Sequence, residues 1–216
     1  MSIRLGIYEI FSRIIPGGVY MVAIIQLLLI LGVVTFNWQM INDLSLISSL
    51  CLVVIAYVLG EALDRIAVVW FRLFRKDGFS TLCLNEFKEK HRKQWEINVE
   101  DKDWPILIAF IRTKNMELAG ETERHNALSI MLRNLSLGLL FMSITTVVQF
   151  TILRNSQLVI IGAAWFVLSI LLVRDSVKFR RWFYYSIFET TVAFRLDLEK
   201  IIKPVRHTTK HKNNES

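Results

Sequence analysis

The sequence predicts an all-α membrane protein with four transmembrane helices and helical cytosolic extensions. Three observations carry that prediction. Of the 216 residues, 53% are hydrophobic, and the mean hydropathy is +0.42, which is more apolar than a soluble domain of this size. The apolar residues are gathered into four long runs, each near the roughly 20 helical residues that cross about 30 Å of hydrocarbon. Lys and Arg crowd the segments on one side of those runs.

Residues 1–15 read as an interfacial amphipathic helix, with Ile3, Ile7, Ile10, Phe11 and Ile14 on one face. Pro16-Gly17-Gly18 is expected to break it and turn the chain into the bilayer. Segment 16–71 holds the first two spans. The first carries Gln26 as its one strongly polar interior residue and ends at Trp38, in the outer aromatic belt. The connector 39–44 follows. The second span starts near Ser45 and brings Glu61, Asp64 and Arg65 to the inner boundary. Its helix is expected to continue through Phe74 and to stop at Asp77-Gly78.

Segment 72–134 reads as a cytosolic helical domain, because its acidic and basic residues are balanced from 79 onward. Ser80 can cap a helix reaching about Trp95, and residues 96–102 look like a loop. Asp103 can cap the next helix, with Pro105 in its first turn. Ile108, Ile111, Asn115, Leu118, Thr122, His125, Ser129 and Leu132 follow at heptad-like steps. No proline lies between them and Leu153, so this helix is expected to run directly into the third span. Segment 135–173 holds the third and fourth spans around the turn Arg154-Asn155-Ser156-Gln157. Residues 174–204 form a cytosolic amphipathic helix ended by Pro204, and 205–216 a disordered tail.

The connector 39–44 has no Lys or Arg and the turn after the third span has only Arg154, whereas the remaining polar segments are basic. The positive-inside rule then places both termini and segment 72–134 of a multi-pass protein in the cytoplasm. The net charge of +7 is accounted for by topology and anionic lipid, so direct nucleic-acid binding is not expected. Cys51 lies in a span and Cys83 in a polar segment, which predicts free thiols. The first apolar run is too long for a signal-peptide core, and no small-residue cleavage site follows it.

Four constellations are candidates for function. Glu61, repeated around an oligomer, would ring the inner mouth of a pore with carboxylates; it could instead pair with Arg65 one turn on. Ser143, Thr146 and Gln149, with Thr145 beside them, share one face of the third span. They could line a water-filled path, or hydrogen-bond a neighbouring helix through Gln26. Arg124, His125 and Arg133 could bind a phosphate-bearing ligand; the alternative is a solvated, salt-bridged face. Ile108, Ile111, Leu118 and Leu132 are candidates for assembly contacts. The aromatic and basic cluster around Phe179, Trp182, Phe183, Tyr184, Tyr185 and Phe188 reads as an interfacial anchor. His207 and His211 lack carboxylate or cysteine partners, so no metal site is expected, and no cofactor either. No nucleophile–base pair, phosphate-binding loop or metalloprotease motif is present, so no enzymatic activity is expected.

Three short stretches carry a resemblance: Tyr8 to Arg13 ending in Pro16-Gly17, Tyr57-x-x-Gly60-Glu61, and Glu123-Arg124-His125-Asn126. In these and in layout the chain resembles small four-helix membrane effectors of bacterial anti-phage defence systems, nearest the Hailong-type channel subunit. The resemblance implies ion permeability controlled by a nucleotide signal from a soluble partner enzyme, and it transfers no individual residue role. The expectation is therefore a homo-oligomeric channel or pore-forming effector in the lipid bilayer, biased by a nucleotide ligand or a cytosolic partner protein. The alternative is a non-conducting membrane scaffold or sensor that anchors a cytosolic partner.

Overall fold

The computed structural model describes residues 3–35, 45–74, 79–91 and 100–194. Those residues form seven α-helices and no strand. They are α1 (Ile3–Ile30), α2 (Leu46–Ala62), α3 (Asp64–Arg72), α4 (Phe79–His91), α5 (Trp104–Lys114), α6 (Met116–Leu153) and α7 (Gln157–Ala193). A single 3-10 turn, Asp101–Asp103, precedes α5. Three helices are long and apolar enough to cross a membrane: Ile10–Ile30 of α1, α6 and α7. A fourth span exists if α2 and α3, bent by 41° at Leu63, count as one. The protein is thus an all-α membrane protein. Trp38, the connector 39–44, the Asp77-Gly78 stop, residues 92–99, His207, His211 and the tail lie outside the described residues.

The chain divides into two compact units, residues 1–77 with 123–180 and residues 78–122 with 181–216. In the first unit, α1 does not break at Pro16-Gly17-Gly18, contrary to expectation. It runs through Pro16 as one helix of 28 residues. A proline inside a helix forfeits one backbone bond, a loss that packing can offset in a membrane bundle. Here Pro16 is fully buried, and its neighbour explains the sequence: a Cβ on Gly17 would sit 1.7 Å from the Ala56 carbonyl oxygen. Reciprocally, a Cβ on Gly60 would sit 2.1 Å from the Arg13 carbonyl oxygen. Glycine at both positions lets the backbones of α1 and α2 touch.

The seam between α6 and α7 is a ladder of hydroxyls seven residues apart. Ser129 Oγ donates to the Ser176 carbonyl at 2.9 Å and Ser176 Oγ to the Ser129 carbonyl at 2.7 Å. Ser136 and Ser169 repeat the exchange, and Ser143 Oγ donates to the Gly162 carbonyl at 2.8 Å. Small side chains permit close approach, and each hydroxyl is satisfied without water, as hydrocarbon requires. At the turn, Arg154 adopts φ 55°, and Asn155 Oδ1 accepts from the Gln157 N–H at 3.1 Å, capping α7.

The second unit has its own core: Cys83, Leu84 and Phe87 of α4, Leu107 and Ile111 of α5, Ala119 of α6, and Phe183, Tyr184, Ile187 and Phe188 of α7. Trp104 meets Phe183 edge-on at 5.6 Å between ring centroids, a favoured aromatic geometry. The interfacial-anchor reading of the aromatics is therefore corrected: Phe183, Tyr184 and Phe188 are buried, and Trp182 is the exposed one, at 52%. They serve as core because α4 and α5 supply apolar partners that the linear sequence did not pair with them.

The expected unbroken helix from Asp103 is also corrected. It divides at Asn115, whose backbone is extended at φ −149° and ψ 105°. Its Oδ1 accepts from the N–H groups of Glu117 and Leu118, at 3.0 and 3.1 Å, and starts α6. An asparagine can satisfy the first amides of a new helix in this way, which makes a break inexpensive. Asp103 precedes α5 as expected, but its carboxylate accepts from the Glu100 N–H at 2.9 Å rather than capping α5. Ser80 lies within α4, which begins at Phe79.

Candidate functional site

The charged groups at the α2–α3 bend form a four-member clamp. Arg13 of α1 places Nε 3.0 Å from Glu61 Oε2 and Nη1 2.8 Å from Asp64 Oδ1. Arg133 of α6 approaches the same Asp64 oxygen at 2.5 Å, and its guanidinium lies 5.9 Å from the Phe71 ring centroid. Two cations and two carboxylates balance. They tie together α1, the end of α2, the start of α3 and α6. The burial is uneven: the side chains of Arg13, Asp64 and Arg133 are 16%, 20% and 15% exposed, whereas Glu61 is 56% exposed. The expected pairing of Glu61 with Arg65 is replaced by Arg13, because the close α1–α2 contact brings that guanidinium nearer.

Two neighbours complete the polar interior beside the clamp. Tyr20, fully buried, donates its hydroxyl to the Asn134 carbonyl at 2.6 Å. Asn134 is itself fully buried. Its carboxamide makes no well-formed hydrogen bond, although it lies close enough to Asp64 to act on that carboxylate.

At the far end of α1 and α6 a second polar group forms. Gln26 Nε2 donates to Thr146 Oγ1 at 3.4 Å and to Gln149 Oε1 at 3.2 Å, while its Oε1 accepts from Thr145 at 3.1 Å. Beside it lies a cavity of about 230 Å³ lined by Gln26, Leu29, Ile30, Gln149, Ile152 and Leu153. The link between Gln26 and the polar face of the third span is thus present. Ser143 and Thr146, read as pore-lining candidates, are buried within the fold at 7% and 2% exposure. Helix packing uses their hydroxyls.

Arg124, His125 and Arg133 are not gathered into one ligand site. Arg124 lies over the Tyr8 ring, 5.7 Å from its centroid. His125 faces the Phe179 ring at 6.3 Å, and Arg133 belongs to the clamp. Arg124 and Arg133 are nine residues apart in α6, which separates them by about 13 Å along the axis. Of the assembly candidates, Ile111 is fully buried in the core of the second unit and Ile108 packs against it. Packing within its own unit therefore occupies Ile111. Leu118 and Leu132 remain half-buried.

Arg13, Tyr20 and Asn134 were missed as partners of this region. Arg13 is 48 residues from Glu61 in sequence, and only the Gly17 and Gly60 contact brings it there. In the second unit, burial pushes the Cys83 thiol up to about 11 from its ordinary 9.0. Among the described residues there is no cluster of His, Cys, Asp and Glu able to hold a metal. No protein-family model matches the chain, and no curated protein or solved structure matches it.

Proposed function

We propose that the protein is an oligomeric membrane channel or pore-forming effector in which Glu61 faces the water-filled axis. The observation that carries the reading is the exposure of Glu61, at 56% of its side chain, as the one exposed charged residue on a helix whose exposed surface is otherwise mostly apolar. Val54, Tyr57 and Val58 of α2 are 61%, 42% and 56% exposed. A carboxylate on a lipid-facing apolar surface near the hydrocarbon is costly. Copies arranged around an axis would turn it to water and sum its charge into a cation-attracting mouth. In this reading the pairing of Glu61 with Arg13 is the closed state, and release of Glu61 to the axis is the open one. In this reading both termini and the second unit lie in the cytoplasm, by the distribution of Lys and Arg, and the bacterial inner membrane follows from the resemblance. A nucleotide signal and the defence setting rest on the resemblance.

A second reading, a non-conducting scaffold or sensor, is favoured by the burial of Ser143 and Thr146. One copy uses those hydroxyls for packing. Reconstitution separates the two readings. A channel gives assemblies of several copies in detergent and potassium flux from vesicles. A scaffold assembles, or stays monomeric, and leaves the vesicles tight with or without nucleotide.

A further inference from the structure

Helix α3 (Asp64–Arg72) has two distinct faces. Ala67 and Phe71 are buried, and Asp64 is turned to Arg13 and Arg133. Arg65, Ile66, Val69, Arg72 and Leu73 are exposed, and their spacing of one, three, three and one residues makes a single stripe along the helix. The three aliphatic members are strongly exposed: Ile66 at 49%, Val69 at 61% and Leu73 at 74%. Among the described residues, neither Arg65 nor Arg72 has an ion pair. The helix is inclined by 41° to α2, so it leaves the direction of the apolar span at the point where the charged residues begin.

We propose that this stripe is a binding surface for anionic phospholipid headgroups. Aliphatic residues flanked by unpaired arginines suit the boundary between acyl chains and phosphates. The aliphatic side chains enter the apolar layer, and the arginine stems lie along it while their guanidinium groups take phosphate oxygens. A purely aliphatic face would fit a second copy equally well; the two cations at its ends select a negatively charged surface. Because the same nine-residue helix presents Asp64 to the clamp, headgroups held by Arg65 and Arg72 brace the clamp from outside. The inference needs the protein to sit in a membrane and does not need it to conduct.

The test compares phosphatidylglycerol with phosphatidylcholine on the full-length protein, counting retained lipids by native mass spectrometry. Each basic side chain near an anionic surface contributes about fivefold in binding. The double variant Arg65→Gln/Arg72→Gln therefore loses most of the preference for phosphatidylglycerol. Arg154→Gln, at the α6–α7 turn, keeps it. An unchanged preference in the double variant overturns the proposal. A nitroxide at Val69→Cys in a Cys51→Ser background gives a second reading that does not depend on the double variant folding. Stronger relaxation by oxygen than by an aqueous nickel chelate supports the proposal. Stronger relaxation by the chelate, or shielding from both, overturns it.

Discussion

The Ser136 hydroxyl donates to the Ser169 carbonyl and the Ser169 hydroxyl donates back to the Ser136 carbonyl, each at 2.7 Å. Ser136 Oγ also accepts from Trp70 Nε1 at 2.9 Å, which ties α3 to the α6–α7 seam. Both serines are fully buried. Ser136→Leu has no space and should destabilise the first unit by about 1–3 kcal/mol. Ser136→Ala keeps the close approach and should cost about 1 kcal/mol, the usual scale for hydrogen bonds between membrane helices. Unfolding in mixed micelles measures both. Equal costs would mean that the seam is loosely packed.

The clamp makes an unequal prediction for its two carboxylates. Asp64→Asn leaves Arg13 and Arg133, both largely buried, without their shared counter-ion, and should cost about 3 kcal/mol. Glu61→Gln removes an exposed partner of Arg13 and should cost less than about 1 kcal/mol. The same unfolding measurement checks the ranking, and a larger loss for Glu61→Gln would contradict the geometry.

Neighbouring glycines should respond oppositely. A Cβ at Gly17 would collide with the Ala56 carbonyl, whereas one at Gly18 meets nothing within 4 Å. Gly17→Ala should destabilise by about 2 kcal/mol through separation of α1 and α2. Gly18→Ala should be neutral or stabilise by up to about 1 kcal/mol, because alanine loses less conformational freedom in a helix.

The second unit should lose stability in alkali. Cys83 titrates at 9.0 ordinarily and at about 11 in the fold. Between those values the unfolded chain releases the proton more readily than the folded one, so stability is complete below about pH 9 and falls as pH rises towards 11. Chemical unfolding at several pH values, followed by an alkylating reagent, should show this loss. Cys83→Ala should flatten it. A slope that persists in the variant would assign it to other groups.

The apolar runs made the helices of the membrane part legible, but not the 41° bend at Leu63 that divides the second run between α2 and α3. The meeting of Gln26 with Thr145, Thr146 and Gln149 was legible because polar groups inside apolar spans need partners. The serine ladder was also written in the sequence, as Ser129, Ser136 and Ser143 against Gly162, Ser169 and Ser176 at intervals of seven. Pro16 and Asn115 depart from the local sequence pattern for opposite reasons. Tertiary packing carries α1 through a helix breaker, whereas a residue that fits a helical stripe ends α5 with its own side chain. The clamp was only half legible: Glu61 and Asp64 stood out at the boundary, but Arg13 and Arg133 reach them through long-range packing that no local pattern encodes.

The most direct test of the account is the reversal potential of the reconstituted protein in an asymmetric KCl gradient. With Glu61 at the mouth of an oligomeric pore, the wild type should reverse towards the potassium equilibrium potential, most strongly at low salt where screening is weakest. Glu61→Gln should assemble normally and move the reversal towards zero, and Glu61→Lys should carry it towards the chloride side. Properly assembled wild-type protein that passes no current with or without nucleotide would contradict the channel reading, as would a current whose selectivity is the same in all three proteins.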